Sequence, residues 1–276
     1  MSCLALVGRW GCFGSERAFW RYARAHRRPY FPGLGERSRF NRLERAYGPD
    51  LQRLASGLAQ QLGARQARYE ALDLTAAPTR NAKRRGRGWL AGQADVGFSN
   101  RLGWFSGFKV LASCTPQGVI TGFGVAPASS KDQPFAESFF ALRSCAAGRA
   151  RLPSVGRPAR GGYVLDKGFA GVGRHRAWQQ AWGVAVLCAP PAYRGAKQPW
   201  PKAWRRQVAR LRQIIETVFG KLLLTFGLEH ERPHSLEGIL ARLAARVALH
   251  NFCIWLNRQL GRADLAFADL VDCWAI

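Results

Sequence analysis

The chain has 276 residues, 47% of them hydrophobic, enough to bury a substantial core and to exclude disorder as the default. Its 42 Lys+Arg against 17 Asp+Glu give a formal charge of +25, a surplus that self-repels unless a polyanion is the working partner, nucleic acid first among them. No stretch approaches the roughly 20 uninterrupted apolar residues of a membrane-spanning helix, and the basic residues do not gather on one amphipathic segment, so a membrane is not the expected partner.

The opening Leu4-Ala5-Leu6-Val7 lacks a basic leader and is broken by Arg9; it does not read as a secretory signal, and the protein is expected in the cytosol. Seven cysteines (Cys3, Cys12, Cys114, Cys145, Cys188, Cys253, Cys273) are odd in number and scattered, with no C-x-x-C pair, and read as reduced small hydrophobes. Ser15 predicts a capped helix through Phe19, Trp20 and Tyr22, interleaved with Arg17, Arg21, Arg24, Arg27 and Arg28 and closed by Pro29 and Pro32. A second helix is expected from Ser38 to Gly48, carrying Arg39, Arg42 and Arg45, and a third from Asp50 to Gln61 with Leu51, Leu54 and Leu58 on one face. Residues 1–64 thus form a basic helical region, read either as a contact with DNA phosphates or as an arginine-rich solvated face. Its first turn reads as short and irregular, which leaves open that part of a larger helical domain is missing.

From Tyr69 the pattern changes to strands. Tyr69 to Thr75 is a strand candidate ending before Pro78, and period-two alternation places Asp73 on the side of Tyr69 and Ala71, where apolar side chains belong. Lys83-Arg84-Arg85-Gly86-Arg87-Gly88 reads as a basic loop. Trp104 to Cys114 and Val119 to Ala126 predict a hairpin joined by Thr115-Pro116-Gln117-Gly118. Ser129 to Asp132 offers caps for a helix through Phe135, Phe139 and Leu142, with Asp132 a cap or turn carboxylate. Tyr163-Val164-Leu165 is a short buried strand between glycines that delivers Asp166 to its carboxyl end, where open α/β sheets hold ligand-handling groups. A helix near Arg174 to Trp182 and a buried strand over Val184 to Ala189 follow, then a basic loop from Tyr193 to Arg206.

The strongest helix carries Trp204, Val208, Leu211, Ile215, Val218, Leu222 and Phe226 on one stripe, with Glu216 at its margin. The last helix, from Ser235, turns Leu236, Ile239, Leu240, Leu243, Val247 and Ile254 inward and Arg242 and Arg246 outward; His250 and Asn251 read as packing residues. His230-Glu231-Arg232-Pro233-His234 has the letters of a zinc-protease motif, but Pro233 breaks the helix that such a site needs. No Walker loop or dinucleotide glycine motif occurs.

Asp73, Asp166 and Glu216 stand out as carboxylates in a basic chain. Two hard divalent cations about 3.5 to 4 Å apart clamp the attacking and leaving oxygens of a phosphodiester displacement, and take carboxylate ligands. Blander readings stand beside this one. Asp73 could bond a neighbouring amide, Asp166 could cap a helix, and Arg212 with Glu216, four apart, could be a surface ion pair.

Several motifs in chain order resemble the DDE transposases of bacterial insertion sequences. Leu72-Asp73-Leu74-Thr75-Ala76-Ala77-Pro78 is similar to the first-aspartate segment, and Trp104-Phe105-Ser106-Gly107-Phe108-Lys109 with Val119 to Asp132 to the hairpin and following loop. Val164-Leu165-Asp166-Lys167-Gly168-Phe169 resembles the second-aspartate motif, Arg212-Gln213-Ile214-Ile215-Glu216-Thr217-Val218-Phe219 the glutamate helix, and Leu243 to Asn257 the closing helix. The likeness spans roughly Tyr69 to Leu260. In the family's fuller glutamate signature this chain keeps Arg212 and Glu216, but Ala209 stands at the tyrosine place and Leu223 at the lysine place; Lys221 lies about 140° from Glu216 on an ideal helix.

The resemblance implies an α/β fold: a ribonuclease-H-like mixed β-sheet flanked by helices over residues 65–276, behind the small all-helical region. It implies Mg²⁺ or Mn²⁺ held by Asp73, Asp166 and Glu216, a metal-activated water that cuts at the element's ends, and a freed 3′-hydroxyl that attacks target DNA. Expected partners are double-stranded DNA, as terminal inverted repeats and target, and further copies of the chain on that DNA; the expected location is prokaryotic cytoplasm at the nucleoid. Backbone contacts are expected from Lys83, Arg84, Arg85, Arg87, Lys109, Lys167, Arg194, Lys197, Lys202, Arg205, Arg206 and Arg212. A nuclease of the same fold, or an inactive or truncated remnant that only binds DNA, are the alternatives.

Overall fold

The computed structural model describes residues 2–11, 13, 15–80, 90, 92–190, 200–230 and 233–271. Four helices come first: α1 (Ser2–Trp10), α2 (Glu16–His26), α3 (Arg37–Ala46) and α4 (Gly48–Gln61). Ser15 caps α2 as its sequence predicts, its Oγ accepting from the Ala18 N–H at 3.1 Å. Leu4, Phe19, Ala23 and Phe40 close a small core between α1, α2 and α3, while Arg17, Arg21, Arg24, Arg39, Arg42 and Arg45 stay exposed. The irregular first turn is instead a regular helix. Leu4 and Ala5 are buried and Trp10 Nε1 donates to the Leu270 carbonyl at 2.6 Å, so α1 owes its order to tertiary packing, which local sequence does not reveal.

Next come β1 (Glu70–Arg80), β2 (Asp95–Ser99), β3 (Gly103–Cys114), β4 (Ile120–Pro127), α5 (Asp132–Ser144), α6 (Ala146–Arg151), β5 (Gly162–Leu165), α7 (Val172–Trp182) and β6 (Ala185–Cys188). The strands form one mixed sheet in the order β2-β3-β1-β5-β6, with β4 also on β3; β5 runs parallel to β1 and to β6, and the other pairings are antiparallel. This is the expected class, a mixed sheet flanked by helices. β1 outruns its predicted end at Pro78. A bulge between Pro78 and Arg80 absorbs the proline, and β3 comes so close that a Cβ on Gly107 would meet the Ala77 carbonyl at 2.4 Å. β2 lies between the expected basic loop and the expected hairpin, in a stretch assigned to no element from sequence. β6, expected to be buried, is an edge strand with Ala185 and Leu187 exposed, because among the described residues no strand pairs with its outer side.

Alternation assigns the two faces. Leu72, Leu111, Tyr163 and Leu165 pack on Phe139, Phe140 and Trp178 of α5 and α7. Ala71, Ala77, Val110 and Ala112 face the opposite core, built from α8 (Lys202–Gly220) and α9 (Leu236–Gln259). On α8, Val208, Ile215 and Val218 are buried, but Trp204 is 63% exposed: the helix extends beyond the sheet, and its first turns lie outside the core that the stripe suggested. After Gly220 the backbone widens into π geometry over Lys221–Thr225, with the Phe226 N–H bonding the Lys221 carbonyl at 3.0 Å.

α9 is the core helix, packed against α1, α3, α4 and β4. Among the described residues it alone is long and apolar enough to cross a membrane, and 72% of its most apolar window is buried inside the protein. With partners all round it has no wet face at Arg246. That side chain turns inward, Nε donating to the Phe226 carbonyl at 2.7 Å, contrary to the outward placement expected from periodicity. Asn251 donates to the Ala55 and Ile120 carbonyls and accepts from the Ile120 N–H, and His250 Nε2 lies 2.9 Å from the Gly118 carbonyl; burial lowers the His250 pKa to about 4. Both are packing residues, as read.

The sheet's register is held by an ion pair that sequence did not reveal. Glu70 and Tyr163 face each other across β1 and β5, and Arg143 of α5 reaches both. Its Nη2 donates to Glu70 Oε1 at 3.0 Å and its Nη1 to the Tyr163 hydroxyl at 2.9 Å and to Ser113 Oγ at 3.2 Å, with Glu70 and Arg143 each 1% exposed. Removing one partner of such a pair strands the other in low dielectric. Arg143→Ala should lower unfolding free energy by roughly 3–5 kcal/mol in urea denaturation, and pairing it with Glu70→Gln should restore part of the loss.

Candidate active site

Parallel pairing puts Glu70 opposite Tyr163 and Ala71 opposite Val164; carried two residues further, the register sets Asp73 level with Asp166, just past the end of β5. Ala71 belongs to the α8 face, so Asp73 points there too. Asp166 shares the parity of Val164, opposite to Tyr163 and Leu165, and lies on the same side. α8 crosses this face and presents Arg212 and Glu216, one turn apart.

Arg212 joins the two elements. Its Nη1 donates to Asp73 Oδ2 at 2.8 Å and its Nη2 to Glu216 Oε1 at 2.6 Å, while Asp73 Oδ1 accepts from the Leu74 N–H at 2.8 Å. The Arg212 and Asp73 side chains keep 23% and 20% of their exposure, and Glu216 keeps 55%. Two of the blander sequence readings are thus present as contacts: Asp73 bonds a neighbouring amide, and Arg212 pairs with Glu216. The third is not, since Asp166 makes no side-chain capping bond to the turn that follows it.

Burial raises the Asp73 pKa to about 6, against the pull of the Leu74 N–H and Arg212; the carboxylates of Asp166 and Glu216 add to the rise. Asp73 therefore senses both of the other acidic groups. The three do not close into a cage: among the described residues, no three His, Cys, Asp or Glu side chains stand ready to hold a metal ion. The donor set nonetheless fits a hard divalent cation, being carboxylate oxygens, two of them already gathered round a cationic group.

A family model described as the transposase DDE domain matches residues 71–252, more than half of the chain. The chain belongs to that family. No match was found among curated proteins or among solved structures. The matched segment begins in β1 of the transposase DDE domain and ends in α9, so it contains both aspartates and the helix bearing Glu216.

The basic residues expected at DNA are placed unevenly in this transposase domain. Lys167, Lys202 and Arg206 are exposed, with Lys167 beside Asp166 and the other two on the projecting end of α8, where Trp200 and Trp204 meet edge to face at 6.2 Å. Arg205 is half-buried. Lys109 Nζ is held by the Ser130 carbonyl at 2.8 Å and Asp132 Oδ1 at 2.6 Å, which also gives Asp132 its role; the cap position of α5 is Lys131. Lys83, Arg84, Arg85, Arg87, Arg194 and Lys197 lie outside the described residues.

Sequence reasoning missed Cys188. Its thiol donates to the Asp166 carbonyl at 3.0 Å, and burial, with the Asp166 charge, pushes its pKa up to about 11, so it is an inert wall of the site. Only its place at the end of β6, next to β5, could have pointed to it. Lys221, the candidate stand-in for the family's lysine, has its ammonium 5.4 Å from the centre of the Phe267 ring, which sits in the core against α9, while Leu223 at the lysine place is buried.

An acid whose folded pKa exceeds its unfolded value stabilises the fold fully below the unfolded pKa and loses that contribution as pH rises through the folded one. For Asp73 the window runs from about 4 to about 6. In metal-free protein, raising the pH across this window should cost on the order of 2–3 kcal/mol of stability that Asp73→Asn does not lose, as chemical denaturation of the two proteins at matched pH will report.

Proposed function

We propose that this transposase domain cleaves DNA at the ends of an insertion sequence and joins them to target DNA, with Asp73, Asp166 and Glu216 as the ligands of Mg²⁺ or Mn²⁺. The observation that carries the reading is the β1–β5 register, which extended by two residues sets Asp73 level with Asp166 just past the end of β5, on the face crossed by the Glu216 helix, in a chain of this family. When bound, a divalent pair supplies charge stabilisation at the phosphoryl oxygens and a nucleophile at neutral pH.

The chain's own residues supply the rest. Asp73 and Asp166, fixed by the sheet, set the positions of the ligand oxygens; Glu216, half-exposed on α8, can adjust to them. Arg212, Lys167, Lys202 and Arg206 offer cations to phosphates on either side of the site. The basic helices of residues 1–64 contact DNA away from the chemistry, their exposed arginines on α2 and α3 supporting that role. A cleft of about 420 Å³ beside α4 and α6, lined by Arg53, Arg65, Arg149 and Arg157, offers phosphates a further basic surface. The protein works in the prokaryotic cytoplasm, as an assembly of copies on DNA.

Asp166→Ala should abolish Mg²⁺-dependent strand cleavage of an end-containing duplex, with a loss of at least about a thousandfold, while duplex affinity stays within about twofold. Cleavage at the wild-type rate would refute the assignment. A pre-cut end separates the two enzymatic readings, since a transposase joins it to target DNA and a nuclease does not.

A further inference from the structure

We propose that Arg212 is a resident counter-ion of the carboxylate site, one that occupies the ligand oxygens of Asp73 and Glu216 in the absence of a divalent cation and must give them up for the cation to bind. The inference rests on the metal-binding reading of these carboxylates and adds a control on their loading. Arg212 is here a positioning residue that sets metal affinity, and its release turns a guanidinium outward at the moment the site becomes competent.

The geometry carries it. One planar side chain spans carboxylates 143 positions apart in sequence, at 2.8 Å to Asp73 Oδ2 and 2.6 Å to Glu216 Oε1. A small hard cation such as Mg²⁺ draws its oxygens to about 2.0–2.1 Å, well inside these contacts, and from several directions at once. A two-armed donor holds the same oxygens side by side along one edge. Both Asp73 oxygens already carry a donor, Oδ1 the Leu74 N–H and Oδ2 the guanidinium, so a cation seated on this carboxylate meets Arg212 at the same group. Loading therefore sets the cation in competition with Arg212 at Asp73.

The pair on α8 alone would be an ordinary surface contact worth a few tenths of a kcal/mol. The contact to Asp73 is different in kind. It crosses from helix to strand, and both side chains are largely covered. Glu216, at 55% exposure, is the partner free to swing, so Arg212 can leave with its charge still compensated or move off toward solvent. An arginine retained beside a bound divalent cation would add like-charge repulsion, so its removal has a definite sign.

That sign is the test. If Arg212 merely held Glu216 in position as a ligand, its loss would weaken metal binding; if it competes for the oxygens, its loss strengthens binding. Mn²⁺ is titrated into the full chain without DNA, with free Mn²⁺ read by electron paramagnetic resonance, for wild type, Arg212→Gln, Arg212→Lys, and each combined with Asp166→Asn. Arg212→Gln should bind Mn²⁺ about tenfold or more tighter than wild type, Arg212→Lys should fall between them, and Asp166→Asn should remove the gain. Equal or weaker binding by Arg212→Gln, with binding still dependent on Asp166, overturns this inference and leaves the metal site standing. Binding that ignores Asp166 in every background removes the metal site and this inference with it. Should circular dichroism find Arg212→Gln unfolded, Arg212→Lys decides by the same criterion, since it keeps a charge but loses the two-armed bridge.

Discussion

A guanidinium sealed between strands decides where both aspartates stand. Arg143 takes hold of Glu70 on β1 and Tyr163 on β5 at the residues that face each other, so the two strands cannot slip without breaking a buried, charged contact. A slip of one residue would turn every side chain of a strand to the opposite face. Asp73 would then point into the aromatic packing around Phe139 and Phe140 in place of the face crossed by α8. The clamp lies on one side of the sheet and the carboxylates on the other, and the register of the backbone is what connects them.

Much of this was legible in the sequence, and the legible part follows physical periodicity. The alternation that sets Asp73 with Ala71, the glycine-bounded strand ending at Asp166, and the three-and-four spacing that lays α8 on the sheet each report a local preference that the tertiary fold keeps. What escaped was fixed by partners distant along the chain. α1 is ordered by α9; the edge position of β6 depends on how many strands precede it in space; and Arg246 turns inward because α9 is surrounded, though its spacing alone puts it among solvent-facing residues. The Glu70–Arg143 pair left no signal, since neither letter announces that its charge is buried. The contact between Arg212 and Asp73 was hidden for the same reason, whereas its contact with Glu216 could be read from the four-residue spacing.

The large positive charge also divides in two. Part of it is held by partners within the protein: Arg143 on Glu70, Arg246 on backbone carbonyls and Arg212 on two carboxylates, with Arg258 paired to Asp264 at the surface. Among the described residues, much of the rest lies on α2, α3, the outer turns of α8 and the arginine-lined cleft beside α4 and α6. Net charge therefore overstates what a polyanion meets, and the portion it does meet is spread over several faces.

The widened turn at Lys221–Thr225 bears on how chains of this kind are compared. Each i→i+5 closure consumes one more residue than the regular helix does, so a ruler of 100° per residue laid from Glu216 runs out of step after Gly220. Two letters at equal distance from the glutamate in two relatives then point in different directions whenever only one of them has the expansion. Alignment columns downstream of Gly220 are best matched by spatial superposition, and a signature counted in letters will score a rotated helix as a missing residue.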